Sequence, residues 1–253
     1  MDKLTTKQER ELRRKEKMDR EIQEKKKQQL QSFAIWGAVA LVLIASVFIV
    51  FKASQNSKPN PAAGGAELSP VQNLAPVTDK DMTRGPKDAK VTLIEYADFQ
   101  CPACRYYHPV VNQLYDTYKN KVRFVYRFFP LANLHQHAMV SAEAAYAASL
   151  QGKFWEMGDL LFNNQDEWAT ASNYQQLFDR YAKQLGLDVA RFDADMAAPS
   201  TLDAINASED TGIKIGVTGT PTFIINGQQI VNNPQDFAAF KQIVDQELQK
   251  SGK

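Results

Sequence analysis

Only two cysteines occur in the 253 residues, Cys101 and Cys104, three positions apart. This excludes a fold stapled by disulfides, which needs several cysteines scattered along a short chain. Whatever folds here must stand on a hydrophobic core, and 44% hydrophobic content supplies one. The cysteine pair is thereby free for chemistry.

Charge is unevenly distributed. The formal net charge is +1, which points to neither a nucleic acid nor a membrane surface. Residues 1–32, however, hold eleven Lys/Arg against seven Asp/Glu, and everything after Lys52 is mildly acidic. Residues 6–31 lack Gly and Pro and consist of strong helix formers without a heptad repeat. Two readings stay open for them: a solvated helix, or adhesion of Lys25–Lys27 to anionic lipid headgroups. Phe33–Phe51 is a run of nineteen uncharged residues, long enough to cross the hydrocarbon core as a helix, with Trp36 near one end. The charged stretch ahead of it is too long for a signal peptide. The expectation is a single uncleaved transmembrane anchor with a cytoplasmic N-terminus, by the positive-inside rule. Residues 52–87, rich in Pro, Ala, Gly and Asn, read as a flexible stalk with a short helix or strand near its end.

From about residue 88 to 253 the pattern is that of one α/β domain. Lys90–Ala97 and Val122–Phe128 are apolar, β-branched runs and predict buried strands. Between them, Pro102–Lys119 carries apolar residues at Tyr107, Val111, Leu114 and Tyr118, one face of a helix. Residues from about 136 to 215 predict a helical block with breaks at Gly152, Asn163–Asp166, Gly186 and Pro199. Thr222–Ile225 and Gln228–Val231 flank Asn226-Gly227, a strong hairpin signal. Asn233 and Pro234 then predict the N-cap and first position of a last helix that buries Phe237, Phe240, Val244 and Leu248.

Cys101-Pro102-Ala103-Cys104 sits just after the first of these strands, with Cys101 at a helix N-terminus. Unpaired first-turn N–H groups and the helix dipole favour a thiolate there. Pro102 fits the first helical position, which needs no N–H donor. The spacing returns the second sulfur to the first, making Cys101 the exposed attacker and Cys104 the shielded resolver. Two other readings exist for a bare C-x-x-C. A zinc site would need two more ligands, and His135 and His137 have the wrong H-x-H spacing. A structural disulfide closing so small a loop brings little entropy.

The motifs V-T-L-I-E-Y-A-D-F-Q-C-P-A-C at 91–104, F-V-Y-R-F-F-P-L at 124–131 and G-V-T-G-T-P-T-F at 216–223 resemble the DsbA-like, BdbD-type branch of the thioredoxin superfamily. The resemblance covers about two thirds of the chain, from Ala89 onward. It implies a thioredoxin-like fold with a helical insertion and a protein disulfide oxidoreductase that uses no cofactor and no metal. Thr220-Pro221 matches the cis-proline loop facing the cysteines, whose backbone pairs with an extended substrate segment. Glu95 matches the acidic residue beneath the active site that relays a proton to or from Cys104, against the plainer reading of a strand-edge glutamate facing water. Pro109 matches a helix-kink proline. His108, His135 and His137 carry no catalytic expectation. Where the best-known member has His before the second cysteine, this chain has Ala103, so the direction of electron flow stays open.

The expected function is introduction of disulfides into exported proteins bearing free thiols, on the outer side of a bacterial membrane. A membrane quinone-linked partner would reoxidise the pair, and no nucleic acid is involved. Two alternatives stay open: a reductase or isomerase on the same fold, and a non-catalytic, membrane-anchored module that binds extended peptides.

Overall fold

The computed structural model describes residues 67–252; the charged segment 1–32 and the expected membrane span 33–51 lie outside them. Among the described residues no helix is long and apolar enough to cross a membrane. Six strands, β1 (Leu68–Pro70), β2 (Met82–Arg84), β3 (Val91–Ala97), β4 (Val122–Phe128), β5 (Thr222–Ile225) and β6 (Gln228–Ile230), form one sheet in the order β1-β6-β5-β3-β4-β2. Only β3 and β4 are parallel, joined across helix α1 (Pro102–Tyr118).

Between β4 and β5 lie α2 (Ala138–Ser149), α3 (Phe154–Asn163), α4 (Gln165–Trp168), α5 (Tyr174–Gln184), α6 (Val189–Met196) and α7 (Pro199–Lys214); α8 (Phe237–Ser251) closes the chain. The predicted helical block is therefore six helices, interrupted where Gly152 and Gly186 take φ of +73° and +72°.

Strand periodicity assigns the faces. In β3, Val91 and Leu93 join Val122 and Phe124 of β4 and Phe223 and Ile225 of β5 beneath α1 and α8. Ile94 and Tyr96 point the other way, with Val125, Phe129 and Ile224. That second face is covered by α7, where buried Gly212 lets the Phe129 and Tyr96 rings approach: a Cβ there would lie 2.8 Å and 3.0 Å from them. A third cluster ties the ends of β3 and β4 to the insertion through Phe99, Phe128, Phe154 and Trp168. Asn226 and Gly227 adopt φ of +47° and +78°, the positive pair that a two-residue hairpin needs.

Two expectations are corrected. First, the second half of the predicted stalk belongs to the domain. β1 pairs with β6 and β2 with β4, at opposite edges of the sheet, and Val71, Leu74 and Val77 pack on the second core face. Three-residue edge strands are too short to show a period, so composition alone suggested a linker. Gly85 ends β2 at φ +91°, where a Cβ would stand 2.2 Å from the Val122 carbonyl oxygen; only glycine fits. Second, the last helix starts three residues later than Pro234. Its N-cap is Asp236, whose Oδ1 accepts from Ala239 N at 2.8 Å. The Asn233 side chain is engaged elsewhere, donating to Pro221 O at 2.9 Å.

Candidate active site

β3 runs into the short loop Asp98–Gln100, and α1 begins at Pro102 with Cys101 as its extended N-cap residue. Both cysteines are free thiols. Both cysteines are buried, Cys101 with 6% of its surface open and Cys104 with none, so the expected attacker is not exposed, although it is the more open of the two. The Thr220–Pro221 peptide is cis, and the Cys101 thiol donates to Thr220 O at 3.3 Å. Among the described residues, the Thr220 backbone N–H makes no backbone hydrogen bond.

The two sulfurs are electrostatically opposite. The Cys104 thiol donates to Cys101, and this is the main cause that brings the Cys101 pKa down from 9.0 to about 5 against the penalty of burial. The Thr220 side chain and the backbone N–H groups of Cys104 and Ala103 contribute in the same direction. Thr220 Oγ1 is buried and has no partner at full hydrogen-bond geometry among the described residues. Burial pushes the Cys104 thiol far up, and the neighbouring Cys101 and Glu95 add to it. Glu95 lies on β3 between Tyr126 of β4 and Phe223 of β5. Burial raises its pKa to about 8, opposed by Arg84 and reinforced by Cys101.

The structure thus brings all five expected residues, Cys101, Cys104, Glu95, Thr220 and Pro221, to one end of the central strands. It adds residues to which the sequence assigned no role. Buried Asp98 receives Gln100 N at 2.8 Å, Leu131 N at 3.1 Å and His135 Nδ1 at 2.6 Å. Gln100 bridges to the insertion, donating to Ala169 O and accepting from His137 N, both at 2.6 Å. Gln165 of α4 donates to Phe99 O at 2.8 Å and Cys101 O at 3.3 Å. Two glutamines and an aspartate therefore clamp the loop that aims Cys101. Asp98 and Gln100 stand in the quoted motif beside the cysteines, but nothing in their spacing names their partners. His135 acts as a tether, and His108 faces Asp159 at 2.9 Å, away from the sulfurs' hydrogen bonds. Among the described residues no cluster of His, Cys, Asp and Glu is arranged to hold a metal. Along the first turns of α1 runs an open groove of about 760 Å³, lined among others by Pro102, Tyr106, Gln235 and Phe237 and by neither cysteine.

The sequence profile of the family described as Thioredoxin matches residues 77–246. The chain belongs to the thioredoxin family. The match starts before β2, in agreement with the early edge strands. Among solved structures, this thioredoxin-family chain is similar to a thioredoxin-like oxidoreductase from Silicibacter pomeroyi, with 28% identity, a TM-score of 0.57, and coverage of 67% of this chain and 92% of that one. It also shares its fold with Wolbachia pipientis α-DsbA1, at 22% identity, TM-score 0.62, and coverage of 70% and 95%. Oxidised BdbD from Bacillus subtilis matches at 18% identity, TM-score 0.62, and coverage of 73% and 98%. The fold is thioredoxin-like and is shared with these solved structures. A curated relative, the Na(+)/H(+) antiporter NhaA 3 of Salinispora tropica, is 39% identical over 198 residues, 74% of this chain and 29% of that protein. The chain therefore spans less than a third of the length of that relative.

The thiolate has a consequence for stability. Because the Cys101 pKa falls from 9.0 to about 5 on folding, its contribution is complete above the unfolded value and is lost as pH drops through the folded one. Glu95 acts oppositely: its contribution is complete below 4.5 and lost as pH rises through about 8. Cys104, whose pKa is raised above 9.0, keeps its proton in folded and unfolded chains alike between pH 5 and 7, so within that window the difference between reduced and oxidised protein reports Cys101. Unfolding of the full chain in both redox states should show the reduced form losing about 2 kcal/mol relative to the oxidised form between pH 7 and pH 5. A constant difference across that window would contradict the assigned thiolate.

Proposed function

We propose that this protein is a thiol–disulfide oxidoreductase that donates the Cys101–Cys104 disulfide to exported proteins. One arrangement carries the reading: Cys101, 6% exposed at a helix N-terminus with its pKa brought down to about 5, stands before the fully buried Cys104, whose pKa is pushed up. A substrate thiolate attacks Cys101 Sγ, the intramolecular S–S bond breaks, and Cys104 leaves and takes up a proton from Glu95. A second substrate thiolate then attacks the substrate sulfur of the mixed disulfide. Cys101 departs as a thiolate, and the substrate is left oxidised and the enzyme reduced. Stabilising the departing thiolate favours the reduced enzyme, which makes its disulfide oxidising. The Thr220 N–H, without a backbone partner among the described residues, suits an extended substrate segment added as a strand.

Tethering by residues 33–51 and a catalytic domain outside the cell membrane are part of the same proposal, supported by the uncharged run and its basic flank. So is a quinone-linked membrane partner that removes the two electrons. The test is the reduction potential of the full chain, equilibrated against glutathione. A value near that of a strong oxidant, roughly −120 mV, supports donation; one near roughly −270 mV means a reductase.

A further inference from the structure

Glu95 shares a small cavity of about 10 Å³, room for one water, with Arg84, Tyr126 and Trp155. Arg84 comes from the edge strand β2, on the far side of β4 from Glu95. Its guanidinium carbon lies 4.0 Å from the Tyr115 ring centroid and 4.3 Å from that of Trp155. Nη2 donates to Asn112 Oδ1 at 2.8 Å. Nε is buried with no hydrogen-bond partner among the described residues, an expensive arrangement unless the group serves something else. Aromatic faces hold the cation rigidly in place, where it can balance a charge that comes and goes.

We propose that Arg84 is a positioning residue for the dithiol chemistry: clamped between Tyr115 and Trp155, it faces Glu95 across the one-water cavity and makes the Glu95 proton exchangeable. The inference rests on the thiol–disulfide reading above. When Cys104 must attack a mixed disulfide at Cys101, its thiol proton passes to the Glu95 carboxylate. The Cys104 sulfur bonds to Cys101 Sγ, and the outgoing thiolate carries away the electron pair of the broken S–S bond. Burial alone would keep Glu95 protonated and unable to accept, and Arg84 is the one group whose charge opposes that burial. The other groups facing the pair are Tyr126 of β4, Asp98 of the loop after β3, Cys101 and Cys104, and, around Arg84, Tyr115 and Asp116 of α1 and Asp159 of α3. None of these supplies a second cation.

The experiment loads Cys101 of the full chain with a chromogenic aryl thiol as a mixed disulfide and follows its release by Cys104 across pH. Arg84→Gln should move the rising limb up by about one unit or more and slow release at pH 7 about tenfold. Arg84→Lys should restore most of it. In a Glu95→Gln background, Arg84→Gln should change nothing further. An unmoved limb in folded Arg84→Gln, or effects that simply add with those of Glu95→Gln, would overturn the proposal. Should Arg84→Gln not fold, the unsubstituted protein decides: the Arg84 Nε–H resonance must titrate with the release limb and cease to do so in Glu95→Gln, and a flat resonance refutes the coupling. If the unsubstituted chain releases the aryl thiol no faster than Cys104→Ser, it is the oxidoreductase reading that fails.

Discussion

Cys101→Ser is expected to abolish disulfide transfer to a reduced, disulfide-dependent substrate, and Cys104→Ser, offered a disulfide-bonded substrate, to accumulate a stable mixed disulfide at Cys101, whose thiolate attacks one substrate sulfur and displaces the other as a thiolate. With its pKa near 5, Cys101 is thiolate throughout the neutral range and is the better leaving group when the substrate resolves the intermediate. Serine offers neither the nucleophile nor the S–S bond, so residual transfer should fall to the uncatalysed background. Cys104 has no exposed surface and a raised pKa, so its loss removes the internal escape route while leaving the attacking sulfur intact. A refolding assay with the full chain reads the first variant, and mass spectrometry after incubation with the disulfide-bonded substrate reads the adduct of the second. Transfer at the unsubstituted rate in Cys101→Ser would exclude the proposed chemistry and favour a peptide-binding module. An adduct on Cys104 in place of Cys101 would reverse the assigned roles.

Asp81→Ala should destabilise the domain by about 3–5 kcal/mol. Arg127 of β4 projects into the second core face with 2% of its side chain exposed, and its Nε donates to Asp81 Oδ1 at 2.7 Å. The remaining nitrogens donate to Tyr96 Oη at 2.9 Å and to the carbonyl oxygens of Ala75 and Pro76 at 3.0 Å and 3.1 Å. Asp81 also accepts from Thr78 N at 2.7 Å. Removing the carboxylate leaves a buried guanidinium without its counter-charge and loosens the segment that packs Val71, Leu74 and Val77 on the core. Denaturant unfolding of the full chain measures the loss. Adding Arg127→Met to Asp81→Ala should recover part of it, since the unpaired charge disappears. A loss under about 1 kcal/mol would mean that the ion pair behaves as a solvated surface pair.

Much of the site was legible because its chemistry is local. Cys101, Pro102 and Cys104 fall within one helical turn, and a strand-to-helix junction is readable from the change of period between Val91–Ala97 and Pro102–Tyr118. The hairpin at Asn226-Gly227 was readable for the same reason. Thr220-Pro221 and Glu95 came from resemblance to a family; their own residues admitted plainer readings. Arg84 and Asp81 were invisible, since they lie in a segment whose composition resembles a linker. Asn233 misled because a good capping residue is equally good at bonding a loop carbonyl.

The sequence by itself determined which sulfur begins a helix and which follows one turn inside, because hydrogen-bonding and spacing within a helix are set by neighbours in the chain. Only the tertiary structure decided how those sulfurs are tuned. Glu95, Arg84 and Thr220 reach the site from three different strands or loops. A pKa depends on burial and on charges across space, and neither is written in the order of residues along the chain.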